Sequence, residues 1–237
     1  MQRSILALLL AAFAFPAAAM DDRVVTAKVP FDGEPMRYVL TSEGTAPKYA
    51  VLLMPGGAGR INLPEQDQPV GIKLHDNFLI RSRTLFADAR VVAASFALTD
   101  APRKIMAYVA DLEQRFGKLK VYVVGTSAST VATMALARPL DGQVAGFVHT
   151  SSMNAISGFD TRGLKSRHLI VAHHADACRY SRPTSGQANA SKYGTDLILI
   201  DGGKSIGDEC EPWAAHGYYK VEQETVDRIK AWILAGP

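Results

Sequence analysis

The sequence is short of several features that would each have pointed to a function class. It has no block of lysine and arginine and no interleaving of basic and aromatic residues, although its formal net charge is +3. Nucleic acid therefore has little support as a partner. Beyond residue 20 no apolar run approaches the ~18 residues that a membrane span needs. There is no internal repeat, no Pro/Ser-rich linker and no dinucleotide-binding fingerprint. With 21% charged and 48% hydrophobic residues, the composition excludes disorder and a collagen-like or low-complexity chain. Cysteine is also scarce, with only Cys178 and Cys210 among 237 residues.

What is present begins with a distinct first segment. Arg3 supplies a positive start, residues 5–15 are almost wholly apolar, and Ala17-Ala18-Ala19 offers a small-residue cleavage site. That order reads as a secretory signal peptide over residues 1–19, too short in its apolar part to anchor the chain. Residues 20–237 then form one α/β domain, exported to a periplasmic or extracellular compartment. In that oxidising setting a lone pair of cysteines reads most simply as one disulfide, with two buried free thiols as the alternative.

Along the mature chain, short β-branched runs alternate with amphipathic stretches. Residues 24–30 and 36–41 flank Phe31-Asp32-Gly33-Glu34 as a hairpin. Strands are expected over residues 49–54, 91–96, 119–124, 144–148, 169–172 and 197–200. Phe78, Leu79, Leu85 and Phe86 suggest a helix. Pro102 suits a first helical position, and Ile105, Val109, Leu112 and Phe116 then mark one face. A terminal helix buries Val226, Ile229, Trp232 and Ile233 and turns Asp227 and Lys230 to water. Residues 60–76 read as a surface loop. Such alternation implies a mostly parallel sheet covered on both faces, with ligands at the carboxyl ends of its strands.

Three strand ends carry chemistry. Gly125-Thr126-Ser127-Ala128-Ser129 follows one strand and opens a helix, the setting in which a tight turn lifts a serine hydroxyl clear of the backbone. The alternative is a serine that only caps a helix. Residues 169–172 run into His173-His174-Ala175-Asp176, and residues 197–200 are followed, after a loop, by Ala215-His216-Gly217-Tyr218. In the order Ser…Asp…His, Ser127 attacks, His216 takes and returns its proton, and Asp176 orients the imidazole. Asp201, after the next strand, is the rival acid.

On these residues the chain resembles the α/β-hydrolase superfamily, over nearly all of residues 24–234. The resemblance implies an α/β-hydrolase fold with a mostly parallel central sheet, helices on both faces and a minimal cap or none. Pro55-Gly56-Gly57-Ala58-Gly59 stands where the family places an oxyanion donor, so Gly57 or Ala58 would give one N–H and Ala128 the other. Two departures stand out: Pro55 replaces the usual histidine of that motif, and Ser129 replaces the last glycine of the serine turn. A Cys178–Cys210 bridge would tie the acid loop to the histidine loop.

Rival readings of the same residues are weaker. His173, His174, Asp176 and Cys178 can be drawn as a metal site, but adjacent histidines at a strand end point to opposite sides, and a bridged Cys178 offers no thiolate. Gly202-Gly203-Lys204-Ser205 imitates the tail of a phosphate loop whose earlier glycine falls at Ile198, so it fails. His75 and His149 receive no role. Arg60, Arg179, Tyr180, Arg182 and Tyr218 are expected at the mouth of the site. The expected function is an exported serine hydrolase of small-molecule acyl esters, without cofactor or metal. A peptidase or thioesterase on the same machinery, and a non-catalytic hydrolase-like binding protein, remain as alternatives. Oligomeric state is not legible.

Overall fold

The computed structural model describes residues 19–28, 30–64 and 76–236. The signal-peptide reading and most of the loop expected before residue 76, with His75, fall outside these residues.

Eight strands form one sheet: β1 (Asp21–Thr26), β2 (Arg37–Ser42), β3 (Tyr49–Met54), β4 (Val91–Ser95), β5 (Lys120–Thr126), β6 (Gly146–Thr150), β7 (Arg167–His173) and β8 (Asp196–Ile200). Their order across the sheet is β1-β2-β4-β3-β5-β6-β7-β8. β1 and β2 pair as an antiparallel hairpin, and β2 meets β4 antiparallel. Every pairing from β4 to β8 is parallel. Register aligns Met54 with Gly125 and Thr126 with Thr150, so the carboxyl ends of the central strands finish at one edge.

Alternate residues of β3 serve opposite faces, as a strand period of two requires. Leu52 and Met54 join one apolar cluster with Val123, Phe147 and Ile105, Tyr108 and Leu112 of α3 (Pro102–Phe116). Leu136 and Ala137 of α4 (Ser129–Ala137) close the same face. Val51 and Leu53 join the other cluster with Val124, Val148, Val171 and Tyr218. Phe78 and Leu79 of α1 (Phe78–Arg81), Phe86 of α2 (Arg83–Phe86) and Val226, Ile229 and Ile233 of α6 (Glu222–Ala235) cover that face. Both faces are thus sealed, which is why the central strands read as unbroken apolar runs.

Four local differences from the sequence reading have physical causes. The single helix expected after Phe78 is two short helices that meet at Ser82. β6 starts at Gly146, two residues later than the apolar run, and continues through His149 and Thr150, because parallel pairing with β5 and β7 carries polar residues into the strand. Lys230 does not turn to water: its ammonium pairs with Asp88 at 2.7 Å and donates to the Leu85 carbonyl. A further helix, α5 (Pro183–Tyr193), stands where no apolar periodicity marked one. It docks closely because Gly186 leaves room for Ile170, whose side chain a Cβ there would meet at 2.9 Å.

Candidate active site

Ser127 sits directly after β5 with φ +53°, a left-handed conformation that a non-glycine residue holds only when its surroundings enforce it. They do so through the backbone. Ser127 N–H donates to the Thr150 carbonyl of β6, and the Ser127 carbonyl accepts from both the N–H and the hydroxyl of Thr130. Ser129, the departure from the family's last glycine, is fully buried. Its hydroxyl donates toward the carbonyls of Met54 and Thr126 and accepts the Thr126 N–H at 2.7 Å. The side chain that replaces glycine therefore ties the end of β3 to the serine turn. Gly56 presses on the same turn from the other side: a Cβ there would lie 2.7 Å from the Thr126 carbonyl oxygen and 3.0 Å from Ser127 Cβ.

Ser127 and His216 line one cavity of about 490 Å³, together with Gly56, Gly57 and Ala128. That volume lies within the range of small-ligand sites. Ala128 stands at the start of α4, where the first backbone N–H groups lack intrahelical partners and the positive end of the helix dipole lies. Gly57 lines the cavity, whereas Ala58 is exposed and is not part of its lining. Phe78, Met153, Tyr180 and the cystine formed by Cys178 and Cys210 supply much of the remaining wall, with Glu211 its one acidic member among the described residues.

Behind the cavity, His216 Nδ1 lies 3.0 Å from Asp176 Oδ2. Asp176 is buried, and its other oxygen accepts the Cys178 N–H. Ser181, which nothing in the sequence marked, reaches the same pair. Its Oγ lies 2.9 Å from His216 Nδ1 and 3.1 Å from Asp176 Oδ2. Asp201, the rival acid, is exposed and pairs with the exposed His174 instead.

The histidine segment is held from several directions. Ser151 Oγ donates to the His216 carbonyl, and Arg81, paired with Glu222, donates to the Gly217 carbonyl. A Cβ on Gly217 would fall 1.9 Å from the Pro212 carbonyl oxygen, so only glycine fits there. Tyr218, expected at the mouth, is instead fully buried. Its hydroxyl donates to the Val171 carbonyl and accepts the Ser151 N–H, and burial raises its pKa well above the ordinary phenol value. The segment that looked like a rim contact is a strut into the sheet. Of the other rim residues, Tyr180 does line the cavity, with Arg179 stacked on its ring.

Of the residues in the metal reading only Asp176 and Cys178 come together, with His216 beside them in place of His173 and His174. Ligand atoms of Asp176, Cys178 and His216 lie within 4.8 Å of one another, yet the Cys178 sulfur is bonded to Cys210. It has no thiolate to offer. His173 is buried, with Nδ1 accepting the Ala175 N–H and Nε2 donating to the Gly202 carbonyl, so both ring nitrogens are engaged in holding the loop.

A strand order with one antiparallel hairpin at the edge and parallel strands thereafter matches a known architecture. A lidless α/β serine hydrolase of Xanthomonas campestris superposes with a TM-score of 0.58 at 8% identity, over 91% of this chain and 98% of that one. The chain has the α/β-hydrolase fold. The esterase domain of a Rhodothermus marinus protein superposes with a TM-score of 0.58 at 12% identity, over 90% and 98% of the two chains. A proline iminopeptidase-related protein of Thermus thermophilus gives 0.53 at 10% identity, over 91% and 98%. No family model matches the sequence, and no curated protein matches it either.

Proposed function

We propose that the protein is an exported serine hydrolase that cleaves a carboxylic ester or a related acyl bond. The observation that carries this reading is the convergence of Ser127, forced to positive φ at a strand end, with His216, whose Nδ1 is held against Asp176, on one cavity. In the proposed reaction Ser127 Oγ attacks the acyl carbon while His216 Nε2 takes the hydroxyl proton. The N–H groups of Ala128 and Gly57 hold the developing oxyanion, a contribution on the order of 3–4 kcal/mol per donor in comparable sites. His216 then returns the proton to the leaving alcohol as the tetrahedral intermediate collapses to an acyl-serine. A water molecule repeats the sequence in reverse and frees the acid.

Export is part of the proposal and rests on the charged, apolar and small-residue order of the first 19 residues. The fold is shared with an esterase domain and with a peptidase-related protein, so the bond cleaved is read from substrates rather than from architecture. A fluorophosphonate probe tests the core of the reading: the mature protein is expected to label, and Ser127→Ala to stay unlabelled. Equal labelling of the two would remove the enzyme reading in favour of a binding protein. A panel of short and long acyl p-nitrophenyl esters, thioesters and aminoacyl amides then assigns the bond, with short acyl esters expected to turn over fastest.

A further inference from the structure

His216 Nδ1 has two oxygen neighbours, not one. Asp176 Oδ2 lies at 3.0 Å and Ser181 Oγ at 2.9 Å, and these two oxygens are themselves 3.1 Å apart. Three polar atoms thus form a nearly equilateral triangle, buried on all sides: Ser181 is 2% exposed, Asp176 5% and His216 6%. A serine hydroxyl has one proton and two lone pairs, whereas an ionised carboxylate can only accept. The charged Asp176 claims the Ser181 proton, so the face that Ser181 turns to Nδ1 is a lone pair. Nδ1 must then carry its hydrogen, because every neighbour it has is an acceptor. That leaves the lone pair on Nε2, the nitrogen that takes the proton of Ser127 in the proposed reaction.

We propose that Ser181 is a positioning residue for His216 and a second acceptor for its Nδ1 proton, a role that rests on the hydrolase reading above. Its backbone suits the task. Ser181 N–H donates to the Cys178 carbonyl, and Cys178 N–H donates to Asp176 Oδ1, so acid and hydroxyl are mounted on one six-residue turn that the cystine anchors. Asp176 supplies charge to the imidazolium as it forms. Ser181 supplies direction, holding the ring plane while the carboxylate holds its proton.

The role predicts a pattern that a purely structural serine would not produce. Threonine and valine have the same shape, so Ser181→Thr and Ser181→Val impose equal crowding and differ only in the hydroxyl. With a short acyl p-nitrophenyl ester, Ser181→Thr is expected to keep kcat within a few-fold of the parent. Ser181→Val is expected to lose about tenfold in kcat at unchanged KM, the size of one charge-assisted hydrogen bond. In an Asp176→Ala background the cost of Ser181→Val should shrink, because without the carboxylate nothing keeps the Ser181 proton turned away from Nδ1. Melting temperature is followed for every variant, and Ser181→Ala replaces the valine variant if the latter does not fold.

Equal losses in the threonine and valine variants would overturn the role, as would a change in KM alone. So would a Ser181→Val cost that is undiminished once Asp176 is gone. Full activity in Ser127→Ala is a different failure: it would bring down the hydrolase reading itself, and the positioning role with it.

Discussion

Ser129 shows how one side chain can take over the work of a missing one. Where the family favours glycine, this chain places a hydroxyl that bridges two carbonyls and one N–H in the fully buried junction of β3, β5 and α4. Ser129→Gly restores the family pattern, yet it leaves buried backbone groups without partners. It is expected to lower stability by about 1–3 kcal/mol and to loosen the Ser127 turn. Thermal unfolding and probe labelling would check both, and an unchanged or raised melting point would refute the bridging role. Gly217 makes the opposite case. Gly217→Ala drives a methyl into the Pro212 carbonyl and is expected to abolish activity by displacing His216; near-parental rates would show that the segment yields easily. The motif residues Ser127, Asp176 and His216 were legible because their spacing along the chain follows the strand ends. Ser181 was not legible, since a serine five residues past the acid carries no pattern until the turn folds.

At the scale of elements, legibility followed apolar content. β3 to β5, β7, β8, α3 and α6 announce themselves through short unbroken apolar runs or apolar residues three and four apart, and their bounds fall within a few residues of the pattern. α5 did not, because Pro183–Tyr193 contains only small and polar residues up to its last position and buries Gly186 and Asn189. Asn189 replaces apolar packing with hydrogen bonds to the carbonyls of Ile156 and Phe159, a partnership invisible without tertiary contacts. The cystine, read from composition and compartment, joins the acid turn to the loop before His216 and lines the cavity as well. With 32 positions between its cysteines, it is worth roughly 3–4 kcal/mol on the chain-entropy model. Reduction, or Cys178→Ala with Cys210→Ala, is expected to lower melting temperature and kcat together. A lower melting point with untouched kinetics would mean that the bridge supports the fold but not the site.

Across the whole molecule, acid is the expected weak direction. His149 is fully buried between α4 and β7. Thr133 gives its hydroxyl proton to the Thr130 carbonyl, so His149 Nδ1 donates to Thr133 and its Nε2 accepts from His168 Nδ1. His168 Nε2 is then a buried lone pair with no partner among the described residues. Burial lowers the pKa of His168 to about 4, despite the opposing pull of Asp141. Burial, followed by repulsion from His168, pushes His149 well below its ordinary value. Both folded pKa values lie below the unfolded value of about 6.5. Between about pH 6.5 and 4 the unfolded chain therefore binds protons that the folded chain refuses, and stability falls as pH falls through that window. Melting temperature against pH should drop there, and His168→Gln should flatten the slope; an identical slope in that variant would move the cause elsewhere.

The strut formed by Tyr218 has a consequence for how the molecule loses its activity. Its hydroxyl fastens the segment carrying His216 to Val171 in β7 and, through Ser151, to the end of β6. Those strands lie in the interior of the sheet, so His216, the proposed general base, belongs to the same cooperative unit as the core and not to a surface loop that frays independently. Amide hydrogen exchange at Gly217 and Tyr218 should then be as slow as in β6 and β7. Heat or denaturant should extinguish turnover and melt the sheet in a single step, with no interval in which an intact fold carries a disassembled site.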